Sequence, residues 1–314
     1  MYLSIIIINW NSVEYLRKCL SSIYSQSISI EHEIIVVDNA SYDGSFEITK
    51  NEFPAVQFIQ SKDNIGFGRA NNLGATYAQG AVLLFLNPDT EIQSGAINHL
   101  YSQFLTLPSP GVVGCRLINS DGSLQTSCVQ SLPTVMNQAL DAEVLRRLFP
   151  RSRLWGIVAF YDGNAVTEVE ALSGACMMIR REVFDSIGGF SSDYFMYGED
   201  LDLCYKARKA GYLNYYVDKA TVVHHGGGSS KKAPSGLSIV MMRKSVKIFL
   251  RKSHGVFYSE CYGLVLTVAS VIRMAILVII YPTMALSGKK TEWNNSIRKW
   301  SYIFRWGLGV SNDY

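Results

Sequence analysis

Residues 3–9 read LSIIIIN, residues 33–38 read EIIVVD, and residues 82–89 read VLLFLNPD. Each is a short aliphatic run that stops on a polar side chain. An unbroken apolar run of this length fits a strand buried on both faces, as in a parallel sheet covered by helices. Between the runs the period changes. Val13–Ser25, Ser45–Glu52, Ala70–Ala78 and Ser94–Thr106 place apolar residues three and four apart, as helices do, and Val56–Gln60 and Ala81–Leu86 read as strands. Such alternation predicts an α/β fold: a mostly parallel sheet with helices on both faces. Polar residues at the carboxyl ends of its strands line the ligand crevice. That rule selects Asn9, Asp38, Asn87 and Asp89.

Further along, Gly111–Leu117 and Ala171–Ile179 read as strands, Arg181–Ile187 and Glu199–Ala210 as helices, and Tyr215–Val223 as the last strand. Residues 120–165 show no period and read as an irregular insertion. Gly226–Ser230, followed by Lys231, Lys232 and Pro234, reads as a flexible connector. The boundary therefore falls at 230, with an α/β domain over 1–230 and a separate tail over 231–314.

Composition points the same way. Hydrophobic residues make up 48% of the 314, enough to bury a large core, and exclude a disordered chain. The six cysteines form no Cys-x-x-Cys pair and read as buried thiols of a reducing compartment. The first residues lack a basic region and a cleavage site, and read as a buried strand, not a signal peptide. Residues 231–314 carry 13 basic and 3 acidic side chains, whereas 1–230 carry 16 and 23. A basic tail that is also apolar points to an anionic membrane surface; no nucleic-acid-binding motif accompanies it. Within the tail, Leu237–Lys252 and residues 293–305 are basic amphipathic segments, and Gly263–Leu286 is a 24-residue apolar stretch interrupted by Arg273. A central arginine and Pro282 disfavour a regular span, so the tail is expected to hold the protein at the cytoplasmic face of the membrane.

Three motifs carry chemistry. Asp89, on the turn after Val82–Leu86, can hold a hard cation such as Mg²⁺ or Mn²⁺ against a diphosphate. Taken alone the same turn is an ordinary Asn-Pro turn. Glu199, Asp200 and Asp202 open a helix, where they serve either as helix-terminal charges or as a general base. His224-His225-Gly226-Gly227-Gly228-Ser229 places a histidine at a strand end before a glycine loop able to close over a diphosphate. In the first half, Asp38 can accept a base imide N–H. Asn64-Ile65-Gly66-Phe67-Gly68-Arg69 is a glycine loop whose spacing is neither that of a Rossmann fingerprint nor of a P-loop.

As an ordered set these residues resemble family 2 glycosyltransferases, and within them the bacterial rhamnosyltransferase-like branch. The resemblance runs through Ile8-Asn9-Trp10-Asn11, Val36-Val37-Asp38-Asn39-Ala40-Ser41, Asn64-Ile65-Gly66-Phe67, Asn87-Pro88-Asp89, Ser173-Gly174-Ala175-Cys176, Gly188-Gly189-Phe190, Phe195–Leu203 and His224. It implies a GT-A fold and inverting transfer with Mn²⁺ or Mg²⁺. Asp200 would match the catalytic base, with Glu199 beside it. Asp89 and His224 would match the metal ligands, His225 being the alternative. Asn9, Asp38, Asn64, Gly66, Arg69 and Asn87 would bind the nucleotide-sugar, and Gly174 and Tyr197 would lie on the acceptor side. The branch implies a dTDP-L-rhamnose donor, with UDP-hexoses as the alternative, and a glycan or polyprenyl-linked acceptor in cell-surface glycan synthesis. Two positions depart from the pattern. Lys206 stands where the family often has Arg, and Ser191-Ser192 where it often has an acidic pair. Two other classes stand as alternatives. A nucleotidyltransferase would show an early basic glycine loop, which Ile5–Asn11 lacks, and a non-catalytic membrane-bound sugar-binding protein would not need Asp200.

Overall fold

All three apolar runs are strands, and they are neighbours. In the computed structural model, β1 (Leu3–Asn9) lies between β2 (His32–Asp38) and β4 (Val82–Leu86), parallel to both, and β3 (Gln57–Gln60) continues the parallel set beside β2. The structure describes residues 2–140, 145, 148–149, 151–155, 157–160, 164–226 and 236–310. All seven residues of β1 are buried, as the aliphatic run requires. At about 1.5–3 kcal/mol per buried aliphatic side chain, this strand is a main contributor to the core.

The other strands are β5 (Thr90–Ile92), β6 (Pro110–Ile118), β7 (Val129–Gln130), β8 (Val166–Val169), β9 (Ala171–Leu172), β10 (Cys176–Arg180) and β11 (Leu213–His224). The main sheet runs β3-β2-β1-β4-β10-β6-β11-β5, with β8 also on β11; β7 and β9 form a separate pair. The parallel pairing expected for the first half is present there. Beyond β4 the sheet is mixed: β10 is antiparallel to β4 and β6, β11 is parallel to β6, and β5 and β8 are antiparallel to β11.

Around the strands lie α1 (Val13–Tyr24), α2 (Ser45–Glu52), α3 (Phe67–Tyr77) and α4 (Ala96–Thr106); α5 (Val135–Leu140) follows in the chain and belongs with the tail helices, and α6 (Arg181–Ser186) and α7 (Glu199–Lys209) return to the sheet. In the tail follow α8 (Gly236–His254), α9 (Val256–Leu286) and α10 (Lys290–Gly307). Chain contacts divide the molecule into two compact units, residues 1–132, 149–195 and 199–229 in one, residues 133–148, 196–198 and 230–314 in the other.

Three expectations need correction. The strand expected over Ala171–Ile179 is broken into β9 and β10, because Ser173-Gly174-Ala175 leaves the ladder to bond elsewhere, as described below. Within the insertion expected to be irregular, 120–165, the β7 strand, α5 and 3₁₀ turns at Thr126–Cys128, Arg153–Trp155 and Ile157–Phe160 are ordered. The helix that holds the apolar stretch Gly263–Leu286 starts earlier, at Val256, and Pro282 does not interrupt it.

Register sets the site. Asn9 pairs with Asp38, and Ile7 with Leu86, so Asn9, Asp38 and Asn87 end adjacent strands on one edge of the sheet. Antiparallel β10 begins there too, with Cys176 opposite Leu86. His224 pairs with Thr90, which brings it beside Asp89. An aromatic cluster fixes the neighbouring loop: Phe85 lies 5.1 Å from Phe184 and 5.0 Å from Phe190 between ring centroids. Asn72 of α3 then clamps Phe190 by its backbone, accepting from the N–H at 2.9 Å and donating to the carbonyl at 2.8 Å.

The tail helices form their own core. Arg273 donates to the Ala139 carbonyl at 2.8 Å and lies 4.4 Å from the Trp300 ring, so this charge sits on the packed side of α9. Trp293 donates to the Leu277 carbonyl at 2.7 Å. The same helix exposes Leu264, Val268, Ile272, Ile276 and Ile279. By length and composition α9 is apolar enough to cross a membrane, with a mean hydropathy of 2.5 over its best window.

Candidate active site

The β1 and β2 ends are tied together by Asp38. Its Oδ1 accepts from Asn9 Nδ2 at 2.8 Å and Ser45 Oγ at 3.1 Å; its Oδ2 accepts from the Ser41 N–H at 2.8 Å and Gln60 Nε2 at 2.7 Å. Burial by itself would raise this carboxyl, but the Ser41 hydroxyl and N–H, Asn9 and Gln60 outweigh it and hold Asp38 below the ordinary carboxylate range. All four acceptor positions of the carboxylate are thus used within the protein. Asp38 acts here on the loops that frame the crevice: Asn11 N–H donates to Ser41 Oγ at 2.9 Å, and Asn11 Oδ1 accepts from the Tyr42 N–H at 3.0 Å. Beside them an open hollow of about 460 Å³ is lined by Ser41, Tyr42, Gly44, Ser45, Phe46, Glu47 and Gln60.

Asn64 receives the Asn39 side-chain amide at 2.8 Å and the Gly66 N–H at 3.0 Å. Gly66 has φ +83, and a Cβ there would strike the Phe195 backbone carbonyl, so only glycine fits. The next residue, Phe67, donates its N–H to that same carbonyl at 3.0 Å. Arg69 turns away from this group and donates twice to the Ser192 carbonyl, at 2.8 and 3.2 Å.

At the β4 end, His224 Nε2 lies 3.2 Å from Asp89 Oδ1 and 3.4 Å from Asn87 Nδ2. Asn87 Oδ1 is buried without a hydrogen-bond partner among the described residues. His224 Nδ1 meets Gln125 Oε1 at 2.6 Å. His225 is engaged elsewhere, its Nε2 with Glu91 at 2.7 Å and its Nδ1 with Ser120 at 2.7 Å. Geometry therefore separates the two histidines, and His224 is the one that meets Asp89. No cluster of three or more acidic, cysteine or histidine side chains suited to a metal occurs among the described residues. A cation here would have two protein ligands and take the rest from substrate oxygens and water, as Mg²⁺ sites in phosphate-binding enzymes do. A carboxylate oxygen and an imidazole nitrogen 3.2 Å apart fit such an ion.

The acidic run at α7 separates by hydrogen bonding. Asp202, buried, accepts from Ser191 and Tyr194 and lies 3.7 Å from Lys206. Lys206 also donates to the Gly189 carbonyl. The two departures from the family pattern, Lys206 and Ser191, thus serve this one internal tie. Glu199 is 5% exposed, its Cβ packed against the α3 backbone at Gly68. Asp200 Oδ2 accepts from the Gly174 N–H at 3.0 Å, its Oδ1 from the Leu201 N–H at 2.8 Å, and the Gln130 side chain bonds it as well. Burial raises the Asp200 carboxyl above its ordinary value, against the pull of these donors. A carboxylate raised in this way is a better proton acceptor.

One tripeptide joins the two halves of the site. Ala175 accepts from the Asn87 N–H at 3.0 Å, while Gly174 donates to Asp200. This is why the strand breaks at Ser173–Ala175. Tyr197 has φ +70 and Asn11 φ 47, strained values for side-chain-bearing residues, and Tyr197 belongs to the second unit. Gln125 and Gln130 are site residues that sequence reasoning missed. Both lie in the segment without period, each following a single aliphatic residue, Leu124 and Val129, which gave no signal of a role. The glycine loop Gly227–Ser229, with Lys231, Lys232 and Pro234, lies outside the described residues.

Residues 4–188 match the family described as Glycosyl transferase family 2. The chain belongs to that family. The N-acetylglucosaminyl-diphospho-decaprenol L-rhamnosyltransferase of Mycobacterium tuberculosis is 30% identical over 268 residues, covering 80% of this chain and 85% of that protein. Rhamnosyltransferase WbbL of Escherichia coli K12 is 26% identical over 238 residues, covering 70% and 82%. Among solved structures, the mannosyltransferase PcManGT from Pyrobaculum calidifontis, in complex with GDP-Man and Mn²⁺, superposes with a TM-score of 0.62 at 16% identity, covering 98% of this chain and 86% of that one. That likeness establishes the GT-A-like fold of this glycosyltransferase.

Proposed function

We infer that this glycosyltransferase moves L-rhamnose from dTDP-L-rhamnose to a hydroxyl of a lipid-linked or polysaccharide acceptor, with inversion, in cell-surface glycan synthesis. The observation that carries the transfer chemistry is the Ser173–Ala175 segment, which bonds both the Asn87 turn and Asp200. Those bonds support a reading in which Asp200 is the proton acceptor and the Asn87–Asp89 turn holds a cation, the two set in relation as one in-line displacement needs. The rhamnosyl donor rests on the names of the two rhamnosyltransferases, and the lipid-linked acceptor on that of the decaprenol enzyme.

In this reading Asp200 accepts the acceptor hydroxyl's proton while that oxygen attacks the anomeric carbon and the carbon–oxygen bond to the diphosphate breaks. Gly174 and Gln130 aim the Asp200 carboxylate. Asp89 and His224 would hold Mn²⁺ or Mg²⁺, which when bound supplies positive charge to the departing diphosphate. Asn9 and Asp38 hold the loops around the hollow at Tyr42 and Phe46, where the base would lie; Asn64, Gly66 and Asn87 shape the strand-end crevice, and Arg69 braces the Ser192 loop against it. The basic, apolar tail supports a position at the cytoplasmic face of the membrane, where the enzyme would meet a polyprenyl-linked acceptor. A panel of nucleotide sugars incubated with the full-length chain tests this through nucleoside diphosphate release. Release of dTDP from dTDP-rhamnose is expected. Release of UDP from a UDP-hexose instead would replace the donor, and no release from any donor would favour a sugar-binding protein.

A further inference from the structure

A line of directed hydrogen bonds runs from a surface carboxylate to the ring of His224. It starts at the tight turn Asn119–Ser123, closed by the Asn119 N–H on the Ser123 carbonyl at 2.8 Å. Asp121 is exposed and ionised, its carboxyl held low by the Ser123 hydroxyl and N–H. An ionised carboxylate only accepts, so the Ser123 hydroxyl must donate to Asp121 Oδ1, at 2.5 Å. Ser123 Oγ is then the acceptor for Asn119 Nδ2 at 2.9 Å. That fixes the Asn119 amide with its Oδ1 outward, where it accepts from Gln125 Nε2 at 3.0 Å. Gln125 Oε1 is therefore the atom facing His224 Nδ1 at 2.6 Å, and an oxygen in that place requires N–H on Nδ1. Gln125 is itself anchored, its N–H on the Leu117 carbonyl at 2.9 Å. The neutral ring is left with a lone pair on Nε2, 3.2 Å from Asp89 Oδ1. Two such atoms at that distance are spaced as adjacent ligands of one cation would be.

We propose that Gln125, oriented through Asn119 and Ser123 by Asp121, is a positioning residue that locks His224 in the Nδ1–H tautomer and so presents Nε2 as the metal-ligating atom. The metal part rests on the function proposed above; the tautomer does not. The partner of the second ring nitrogen commonly sets which nitrogen binds a metal, and loss of such a partner costs about 10–100-fold in affinity. Gln125→Glu keeps an acceptor at Nδ1 but forces Asn119 to reverse, so it retains the tautomer while cutting the line to Asp121.

The test uses the full-length chain with ¹⁵N-labelled histidine. Long-range nitrogen–proton correlation, without metal, reports the neutral tautomer of His224. Electron paramagnetic resonance of Mn²⁺, with nucleoside diphosphate present, reports affinity. The Nδ1–H form is expected in the parent and in Gln125→Glu. Gln125→Ala, its fold checked by circular dichroism, should lose that tautomer and bind Mn²⁺ about 10–100-fold more weakly. Nε2–H in the parent would overturn the proposal. So would unchanged Mn²⁺ affinity in Gln125→Ala where His224→Ala abolishes it. If His224→Ala itself leaves Mn²⁺ affinity intact, the metal site proposed above fails, while the tautomer measurement still decides the role of Gln125.

Discussion

At Glu199, Asp200 and Asp202 three carboxylates within four positions are given different surroundings, and the differences are measurable. Asp202 is tied to Ser191, Tyr194 and Lys206, whereas Asp200 is held by Gly174 and Gln130. Asp200→Asn should lower turnover by about 10²–10⁴-fold, read as nucleoside diphosphate release with acceptor present. Its stability should move the other way. The folded carboxyl is raised, so the folded state binds its proton more tightly than the unfolded chain does, and keeping Asp200 ionised at neutral pH costs stability. The melting temperature of Asp200→Asn at pH 7 should therefore not fall below that of the parent, and the acid limb of the parent's kcat should lie above the ordinary carboxylate range. Asp202→Asn should instead lose about 1–3 kcal/mol of stability by denaturant titration. Asp38 has the opposite sign from Asp200. Its folded carboxyl is lowered, so its contribution is complete above the ordinary value of about 3.9 and drains away as pH falls through the lower folded value. The stability gap between the parent and Asp38→Asn should narrow below about pH 4.

At the scale of elements, the loop 64–67 and the helix α9 show two ways in which a segment is committed. The loop is committed by backbone geometry. Gly66→Ala combines a left-handed φ with a clash against the Phe195 carbonyl, and should cost at least about 1–3 kcal/mol, measured by urea unfolding. The helix is committed by what each side touches. Arg273 is satisfied by Ala139 and Trp300, while Leu264, Val268, Ile272 and Ile276 stay exposed along the helix. A central arginine read from sequence argued against burial in lipid; hydrogen bonding within the helical unit removes much of that objection. Burying an aliphatic side chain contributes about 1.5–3 kcal/mol, and Ile272 and Ile276 are each about half exposed, so replacing both with Ser should weaken flotation with anionic vesicles by about 10–100-fold. Unchanged flotation would assign this face to protein contact instead.

For the molecule as a whole, a donor and cation that bind the folded chain alone should stabilise it. At a hundred times the dissociation constant the gain is about 2.7 kcal/mol, a rise of roughly 5–10 °C in melting temperature. Mn²⁺ with nucleoside diphosphate should produce that rise, a chelator should reverse it, and Asp89→Ala should blunt it. The α/β fold was legible in the sequence because its decisive signals are local. An unbroken aliphatic run such as Ile5–Ile8 has no other stable place than a strand covered on both sides, and strand ends mark the crevice wherever the strands lie. The strand-end positions of Asn9, Asp38 and Asn87-Pro88-Asp89 followed from that rule alone. The order of the strands beyond β4, the break at Ser173–Ala175 and the sorting of Glu199 from Asp200 and Asp202 did not, since each depends on a partner far away in the chain. The same holds for Gln125 and Gln130, which meet His224 and Asp200 across separations of 99 and 70 residues. Sequence determines what each segment must bury, because burial is priced residue by residue. Which donor faces which acceptor is decided only when strand register brings distant segments together, because a hydrogen bond depends on distances and angles that no local pattern encodes.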